Sequence, residues 1–395
     1  MPLFDDRPRH DSAFATYGED SFSFLNRVDG PMWARVRDVL EDWFADYSRL
    51  ARPEKAADLR ARFRNADPRQ HFPAWWELYV FRLLRVAFPD HCVVPERELP
   101  DGSTGPDFAV IRQPDDSCAM YVEAVQPVTG IKDEERDTAR EAVVFDAINE
   151  IDERRFFVHL SFVKVGPQHP RKRKVTTPIV EWLRDLDPDA VQAKYDRTGE
   201  LETLSVSEEG WEIELRAIPR SPANRTQPAR LIGMGPGRSG YVSDVSDVRA
   251  ALKQKARRHR LLDAPFVIAV MPSSPFFDDD SAVSVLYGSE AVAFLRGDPD
   301  SVTVVRRSDG YWTPDAQQVT GVLLGPGILP WTVAKALPTL WLNPYAAEAL
   351  PSRALPVRLV HVDEKGGLAA SDPPQSAADL FALPPDWPRH DDEDL

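Results

Sequence analysis

A fifteen-residue apolar segment, AWWELYVFRLLRVAF, constrains the fold of this chain more than any other feature. The segment directly follows Pro73, and proline is tolerated in the first turn of a helix. It is also longer than a typical strand of a globular protein. At about 100° per residue, its polar side chains Glu77, Arg82 and Arg85 lie within an arc of about 140°. We therefore predict a helix that is buried on most sides and has one polar stripe containing Glu77.

After Pro89 the apolar residues recur at every second position, which is the spacing of a strand. The elements predicted after the buried helix are three strands, a helix and a fourth strand: Cys92–Glu98, Asp107–Arg112, Cys118–Gln126, Lys132–Glu153 and Phe156–Val165. Further along the chain, a helix over Val245–Leu262 is predicted to lead into a buried strand over Pro265–Met271. This mixture of elements indicates an α/β (α+β) fold.

The length of 395 residues is two to three times that of a common domain, so we expect several domains. The expected division is an N-terminal helical segment (1–69), a core (70–195), a second α+β domain (196–345) and a Pro/Asp-rich, largely disordered tail (346–395).

The composition excludes several classes of protein. A hydrophobic content of 43% is sufficient for a packed core, so a wholly disordered chain is excluded. The chain has no run of about 18 apolar residues, which excludes a membrane-spanning helix, and its charged N-terminus lacks the apolar segment of a secretory signal. Two cysteines are too few for a disulfide scaffold. We expect a cytoplasmic protein that does not bind membranes.

Three carboxylates occupy distinctive places in the first predicted elements. Glu77 lies in the buried helix, Asp107 begins the second strand and Glu123 lies inside the third. Burying one carboxylate is costly, and a divalent cation held by several carboxylates offsets that cost. Each residue also has an ordinary structural explanation. Glu77 can pair with Arg85, and Asp107 can stabilise a turn after Gly105–Pro106. Glu123 can be a solvated residue on an edge strand.

The order of Glu77 on a helix, Pro106–Asp107–Phe108 on a strand and Glu123 on the next strand resembles the PD-(D/E)XK, or restriction-endonuclease-like, superfamily. The resemblance covers about residues 70–165 and implies an αβββαβ core with a mixed sheet. It also implies that the three carboxylates bind Mg²⁺ or Mn²⁺ and that the protein hydrolyses phosphodiester bonds of DNA or RNA. The whole chain resembles a group of actinobacterial proteins, which implies no function.

In that family, a lysine two residues past the strand glutamate orients the attacking water. Here Val125 occupies that position, and it shares a strand face with Glu123 because side chains alternate along a strand. Lys132, just past the strand, is the first candidate for the catalytic role, and Lys164 on the following strand is the second. The alternative is a catalytically inactive restriction-like fold that binds nucleic acid or protein.

The net charge of −15 makes the chain repel nucleic acid on average. Two local clusters are nevertheless cationic, Arg171–Lys174 and Arg249–Arg260. The candidate phosphate contacts in the second cluster are Lys253, Lys255, Arg257, Arg258 and Arg260. Both clusters can equally be solvated surfaces. A third hypothesis is a scaffold that docks a protein partner, and a homodimer is also compatible with the sequence.

Overall fold

The computed structural model describes residues 1–127, 132–226, 230–234, 244–259, 262–274, 277–295, 298–350 and 355–389. The protein is an α/β protein with a large mixed sheet, as the sequence predicts. Its chain divides into two compact units. Unit 1 comprises residues 1–13, 20–129 and 242–395, and unit 2 comprises residues 14–19 and 130–241.

The N-terminal part of the chain contains α1 (Ser21–Arg27), α2 (Pro31–Leu50), α3 (Pro53–Phe63), α4 (Pro68–Ala87), β1 (His91–Pro95), β2 (Phe108–Arg112) and β3 (Cys118–Val125). The middle part contains α5 (Lys132–Asn149), β4 (Phe156–Lys164), α6 (Lys172–Asp185), α7 (Pro188–Thr198), β5 (Thr203–Glu208), β6 (Trp211–Pro219) and β7 (Ile232–Met234). The C-terminal part contains α8 (Val245–Arg258), β8 (Phe266–Val270), α9 (Asp279–Tyr287), β9 (Glu290–Leu295), β10 (Asp298–Arg306), β11 (Gly321–Leu324), β12 (Thr339–Leu342), β13 (Arg358–Val362), β14 (Leu368–Ser371) and α10 (Ala377–Phe381). None of the helices in the described ranges is long and apolar enough to cross a membrane.

The predicted buried helix is confirmed as α4. It begins earlier than expected, because Pro68 takes the first helical position and the side chain of Asp67 accepts a hydrogen bond from the Arg69 N–H. Most of its side chains from residue 74 to 84 are fully buried. Arg85 pairs with Asp46, at 3.3 Å, rather than with the glutamate of the polar stripe.

Unit 1 contains an eight-stranded sheet in the order β1-β2-β3-β8-β11-β12-β13-β14. The strands β1, β2 and β3 are antiparallel neighbours, whereas β3, β8 and β11 are parallel neighbours. In this register Glu123 lies opposite Ile268 of β8. The sequence FVIAV of β8 is continuously apolar because this strand is buried on both faces.

Helices cover both faces of the sheet around β3 and β8. On one face, α8 and α9 contribute to an apolar cluster that includes Leu252 and Ile268. On the other face, the indole Nε1 of Trp76 in α4 donates a hydrogen bond of 2.9 Å to the carbonyl of Ala269. A Cβ at Gly325 would lie 2.4 Å from the Trp76 ring, so only glycine fits where β11 ends.

Unit 2 has a separate four-stranded sheet in the order β5-β6-β4-β7 and its own apolar core, which includes Ile179 and Leu215. The N-terminal segment of residues 14–19 belongs to this unit. Within it, the Tyr17 ring stacks on Phe145 with centroids 4.5 Å apart.

The predicted order helix, three strands, helix, strand is present along the chain as α4, β1, β2, β3, α5 and β4, but the last two elements belong to unit 2. The strand predicted over Phe156–Val165 lies in the sheet of unit 2, and the strand that pairs with β3 is β8. The expected boundaries of 70–195 and 196–345 differ from the two units for the same reason, since α8 and β8 complete the sheet that begins with β1. A periodic pattern predicts that a strand forms, but pairing depends on packing between distant parts of the chain.

The tail of residues 346–395, predicted to be largely disordered, is folded over 355–389. β13 and β14 extend the large sheet, and α10 follows them. Phe381 and Trp387 are buried, and the indole Nε1 of Trp387 donates to the carbonyl of Pro330 at 3.2 Å. Buried aromatic side chains therefore anchor a segment whose proline content suggested disorder.

Candidate functional site

Asp107 and Glu123 lie side by side where β2 begins and β3 approaches its end. The antiparallel register sets Phe108 opposite Val122, which makes the two acidic residues neighbours across the strand pair. The backbone N–H of Asp107 donates to Oε2 of Glu123 at 3.2 Å. In return, Oδ2 of Asp107 accepts the backbone N–H of Ala124 at 2.7 Å. The predicted proximity of these two carboxylates is therefore present in the fold.

Helix α8 supplies two more side chains to Glu123. Nζ of Lys255 lies 2.6 Å from Oε1 of Glu123, and Nε2 of His259 lies 3.3 Å from Oε2. His259 is the residue directly after α8 and lies four residues beyond Lys255, so both side chains reach Glu123 from the C-terminal end of the helix. Both adjoin the apolar stripe by which α8 packs on the sheet, which includes Leu252 and Ala256.

The Glu123 side chain is only 2% exposed, yet it is held as an anion. Burial raises the pKa of this carboxyl, but the nearby His259 imidazole and the charge and hydrogen bond of Lys255 outweigh burial and hold the pKa below its usual range. The result is a buried carboxylate that is ionised and fixed in direction.

Asp107 has the opposite balance. Burial raises its pKa well above the usual range, and the negative charges of Glu123 and Glu77 raise it further. The charge of Lys255 lowers the pKa of Asp107 in part, although among the described residues no lysine, arginine or histidine forms an ion pair with it. A cation beside this carboxyl would therefore relieve both the burial and the repulsion.

Glu77 is engaged within the fold. Its Oε2 accepts a hydrogen bond of 2.7 Å from Nη2 of Arg62, and its Oε1 accepts one of 3.2 Å from the Tyr47 hydroxyl. Burial raises the pKa of Glu77 despite the neighbouring guanidinium. The pairing with Arg62 takes the place of the pairing with Arg85 that the sequence suggested.

The donor set of Asp107 and Glu123 fits a hard divalent cation. Each carboxylate oxygen has two acceptor positions, and Oδ1 of Asp107 accepts no hydrogen bond from the described residues. Mg²⁺ keeps several of its waters and is commonly bound through one or two carboxylates. Across the described ranges, no three His, Cys, Asp or Glu side chains are placed to hold one metal ion, so the fit involves these two carboxylates without Glu77.

The lysine predicted from the sequence is not the one that contacts Glu123. The side chain of Lys132 lies outside the described residues, and Lys164 is exposed on β4 of unit 2. Val125 packs against the apolar cluster beneath α8. Lys255 was expected to contact phosphate, and instead its ammonium group lies on Glu123.

The other cations of the predicted phosphate-binding set remain on the surface. Lys253, Arg257 and Arg258 are exposed on α8, and Arg260 lies outside the described residues. The second cluster, Arg171–Lys174, is exposed at the start of α6 in unit 2. His259 was not predicted as a site residue. Its spacing of four from Lys255, next to the apolar residues of α8, could have indicated that the two side chains lie close together.

Comparisons with protein-family models, with curated proteins and with solved structures give no match to this chain.

Proposed function

We propose that unit 1 is a metal-dependent nuclease with a restriction-endonuclease-like core. The core would consist of α4, β1, β2, β3, α8 and β8, with unit 2 inserted between β3 and α8. Two features support this assignment: the order αβββαβ that results when unit 2 is set aside, and the parallel pairing of β3 with β8. The observation that carries the proposal is the 2.6 Å contact of Lys255 with Glu123, directly beside Asp107.

In this proposal Asp107 and Glu123 hold Mg²⁺ or Mn²⁺. The bound cation supplies Lewis-acid chemistry and stabilises charge that develops on the scissile phosphate. Lys255 takes over the role of the lysine that is absent at Val125: its ammonium group orients the attacking water and offsets the negative charge of the buried glutamate. Glu77 acts on this centre through its charge and through the packing of α4.

The exposed cations of α8 suit a substrate with a phosphodiester backbone. Lys253, Arg257 and Arg258 lie on the same helix as Lys255 but project into solvent. Each phosphate contact releases counterions, so affinity is expected to fall as salt rises from about 50 to 200 mM. Replacing one of these cations with glutamine is expected to lower the slope of log affinity against log salt by about 1.

The test is cleavage of plasmid, single-stranded DNA and RNA with Mg²⁺ or Mn²⁺, beside a double variant, Asp107→Ala/Glu123→Ala. We expect metal-dependent cleavage by the wild type and none by the double variant. No cleavage of any of the three substrates by the folded wild-type protein would reject the proposal.

A second set of variants tests Lys255. Lys255→Arg keeps a cation beside Glu123 but replaces the compact ammonium with a larger planar guanidinium that misplaces the attacking water, and we expect it to lose about 10²-fold in cleavage rate. Lys253→Arg, the matched control on the exposed side of α8, should cleave within about threefold of the wild type. Equal rates for the two variants would remove Lys255 from the active site.

The second candidate function is a catalytically inactive module that binds nucleic acid. It is favoured by the engagement of both Glu123 oxygens and by the lack of a three-residue metal site across the described ranges. This hypothesis predicts binding that EDTA does not change, without turnover. It also predicts that Val125→Lys creates cleavage, whereas in the nuclease hypothesis Lys255 already fills that role and no gain is expected.

A further inference from the structure

His259 is a buried polar residue with an incomplete hydrogen bond. Its side chain is 2% exposed, and its Nε2 lies 3.3 Å from Oε2 of Glu123. This nitrogen makes no aligned hydrogen bond with any described residue. The imidazole ring packs edge-on against Phe266, with centroids 5.8 Å apart, which limits the directions that the ring can take.

Packing alone does not account for a histidine at this place. A phenylalanine would fill a similar volume without a nitrogen that lacks an aligned partner, and such a nitrogen costs free energy when it is buried. Breaks in local packing rules occur preferentially at functional positions. The contact of Nε2 with Glu123 is the simplest explanation for a polar group at this position.

The two α8 side chains restrain opposite oxygens of one carboxylate. Lys255 contacts Oε1 and His259 lies against Oε2. Oε2 also accepts the backbone N–H of Asp107 at 3.2 Å, so His259 adds a second contact on that oxygen. The last torsion of a glutamate is otherwise broad, and each contact narrows the range of orientations of the carboxylate plane. Contacts from the C-terminal end of α8 fix that plane relative to Asp107.

We propose that His259 is a positioning residue that, together with Lys255, orients Glu123 for a divalent cation bound between Glu123 and Asp107. The inference rests on the cation site of the proposed function. It assigns to His259 no contact with the substrate. Under this proposal the affinity for the cation depends on His259, which lies outside the carboxylate pair. Residues that contact metal ligands commonly affect metal affinity in this way.

The experiment measures binding of Mn²⁺ to the full chain by titration calorimetry, without nucleic acid. His259→Phe is expected to weaken Mn²⁺ binding about tenfold, because changes to the partners of a metal ligand typically cost 10- to 100-fold in affinity. His259→Gln keeps a donor that reaches Glu123 and should bind Mn²⁺ within about threefold of the wild type. His259→Asn is polar but shorter, and it should behave like the phenylalanine variant.

The matched control is His361→Phe. His361 is a half-buried histidine on β13, four strands away from β3, and like His259 it has a ring nitrogen without a hydrogen bond among the described residues. This variant should bind Mn²⁺ like the wild type. Urea unfolding of each variant, measured beside the titration, separates a loss of Mn²⁺ binding from a loss of folding.

The outcomes separate this inference from the nuclease proposal. If the wild type binds Mn²⁺ with the expected dependence on His259 but cleaves nothing, the nuclease proposal fails and the positioning role stands. If the wild type cleaves nucleic acid and His259→Phe binds Mn²⁺ equally well, the positioning role is overturned. It is likewise overturned if the glutamine variant is as weak as the phenylalanine variant, or if the wild type binds no Mn²⁺.

Discussion

Glu77 and Asp107 are two carboxylates of unit 1 whose surroundings differ in one respect. Both have raised pKa values, with burial as the largest cause. Both carboxylate oxygens of Glu77 accept hydrogen bonds, one from the guanidinium of Arg62 and one from the hydroxyl of Tyr47. Asp107 accepts a hydrogen bond from the backbone N–H of Ala124 and, among the described residues, has no ion-pair partner, although the charge of Lys255 acts on it from nearby. A carboxylate that is paired within the fold contributes to structure, whereas one without a cation is available to bind a cation from solution.

The largest expected difference between the two carboxylates is in catalysis. Asp107→Asn removes an anionic ligand and should lower the cleavage rate about 10³-fold. Glu77→Gln keeps the shape of the side chain and should lower the rate less than tenfold, because the charge acts from a distance. Metal-dependent single-turnover cleavage measures both rates. Equal losses of cleavage rate for the two variants would place Glu77 among the metal ligands, and the two carboxylates would then not differ in function.

The next largest effect concerns the ion pair of Glu77. Arg62→Met leaves the buried carboxylate without its cation and is expected to lower the free energy of unfolding by about 3 kcal/mol. The matched control is Arg49→Met, which removes an arginine from an exposed pair with Asp46 and should cost about 0.5 kcal/mol or less. Urea unfolding at neutral pH gives both values. A cost for Arg62→Met no greater than that of the control would mean that Glu77 is not stabilised by this pair.

Tyr47→Phe tests the second partner of Glu77. The variant loses the hydroxyl hydrogen bond to Oε1 but keeps the ring, which packs against Phe81 with centroids 5.2 Å apart. A hydrogen bond to a charged group contributes about 1.5 kcal/mol, and we expect a loss of that size in urea unfolding. An unchanged stability would show that Arg62 alone holds the carboxylate.

The smallest effect, and the only gain, is expected for the stability of Asp107→Asn. An acid whose folded pKa is raised contributes stability below its unfolded pKa, and that contribution is lost as pH rises through the folded pKa. Asparagine does not ionise, so the variant should match the wild type near about pH 4 and exceed it by about 1 kcal/mol at pH 7. Urea unfolding across this pH range provides the test. A variant less stable than the wild type at pH 7 would contradict the absence of a cation beside Asp107.

Sequence patterns predicted the first half of the site well, because the patterns involved are local. The run of apolar residues identified α4, and the two-residue period located β2 and β3 within a residue at each end. The alternation of side chains along a strand also indicated that Val125, and not a lysine, follows Glu123 on the same strand face. These inferences need only neighbouring residues, and the backbone geometry of helices and strands supplies the rest.

The second half of the site could not be predicted from local patterns. Lys255 is 132 residues from Glu123, and the whole of unit 2 except residues 14–19 lies between them. A run of cations resembles a solvated surface, and only the position of Lys255 on the side of α8 that carries Val248 and Leu252 distinguishes it from Lys253. Pairing of β3 with β8 rather than β4 likewise depends on tertiary packing.

The insertion of unit 2 also has a consequence for the newly synthesised chain. A ribosome that adds about 5–20 residues per second needs on the order of 10 s to proceed from Glu123 to Lys255. During that interval β3 has no β8 beside it, and its unpaired backbone edge is open to other strands. Each molecule therefore acquires its complete set of charged groups late in synthesis, after the strand that bears Glu123 has been exposed for seconds.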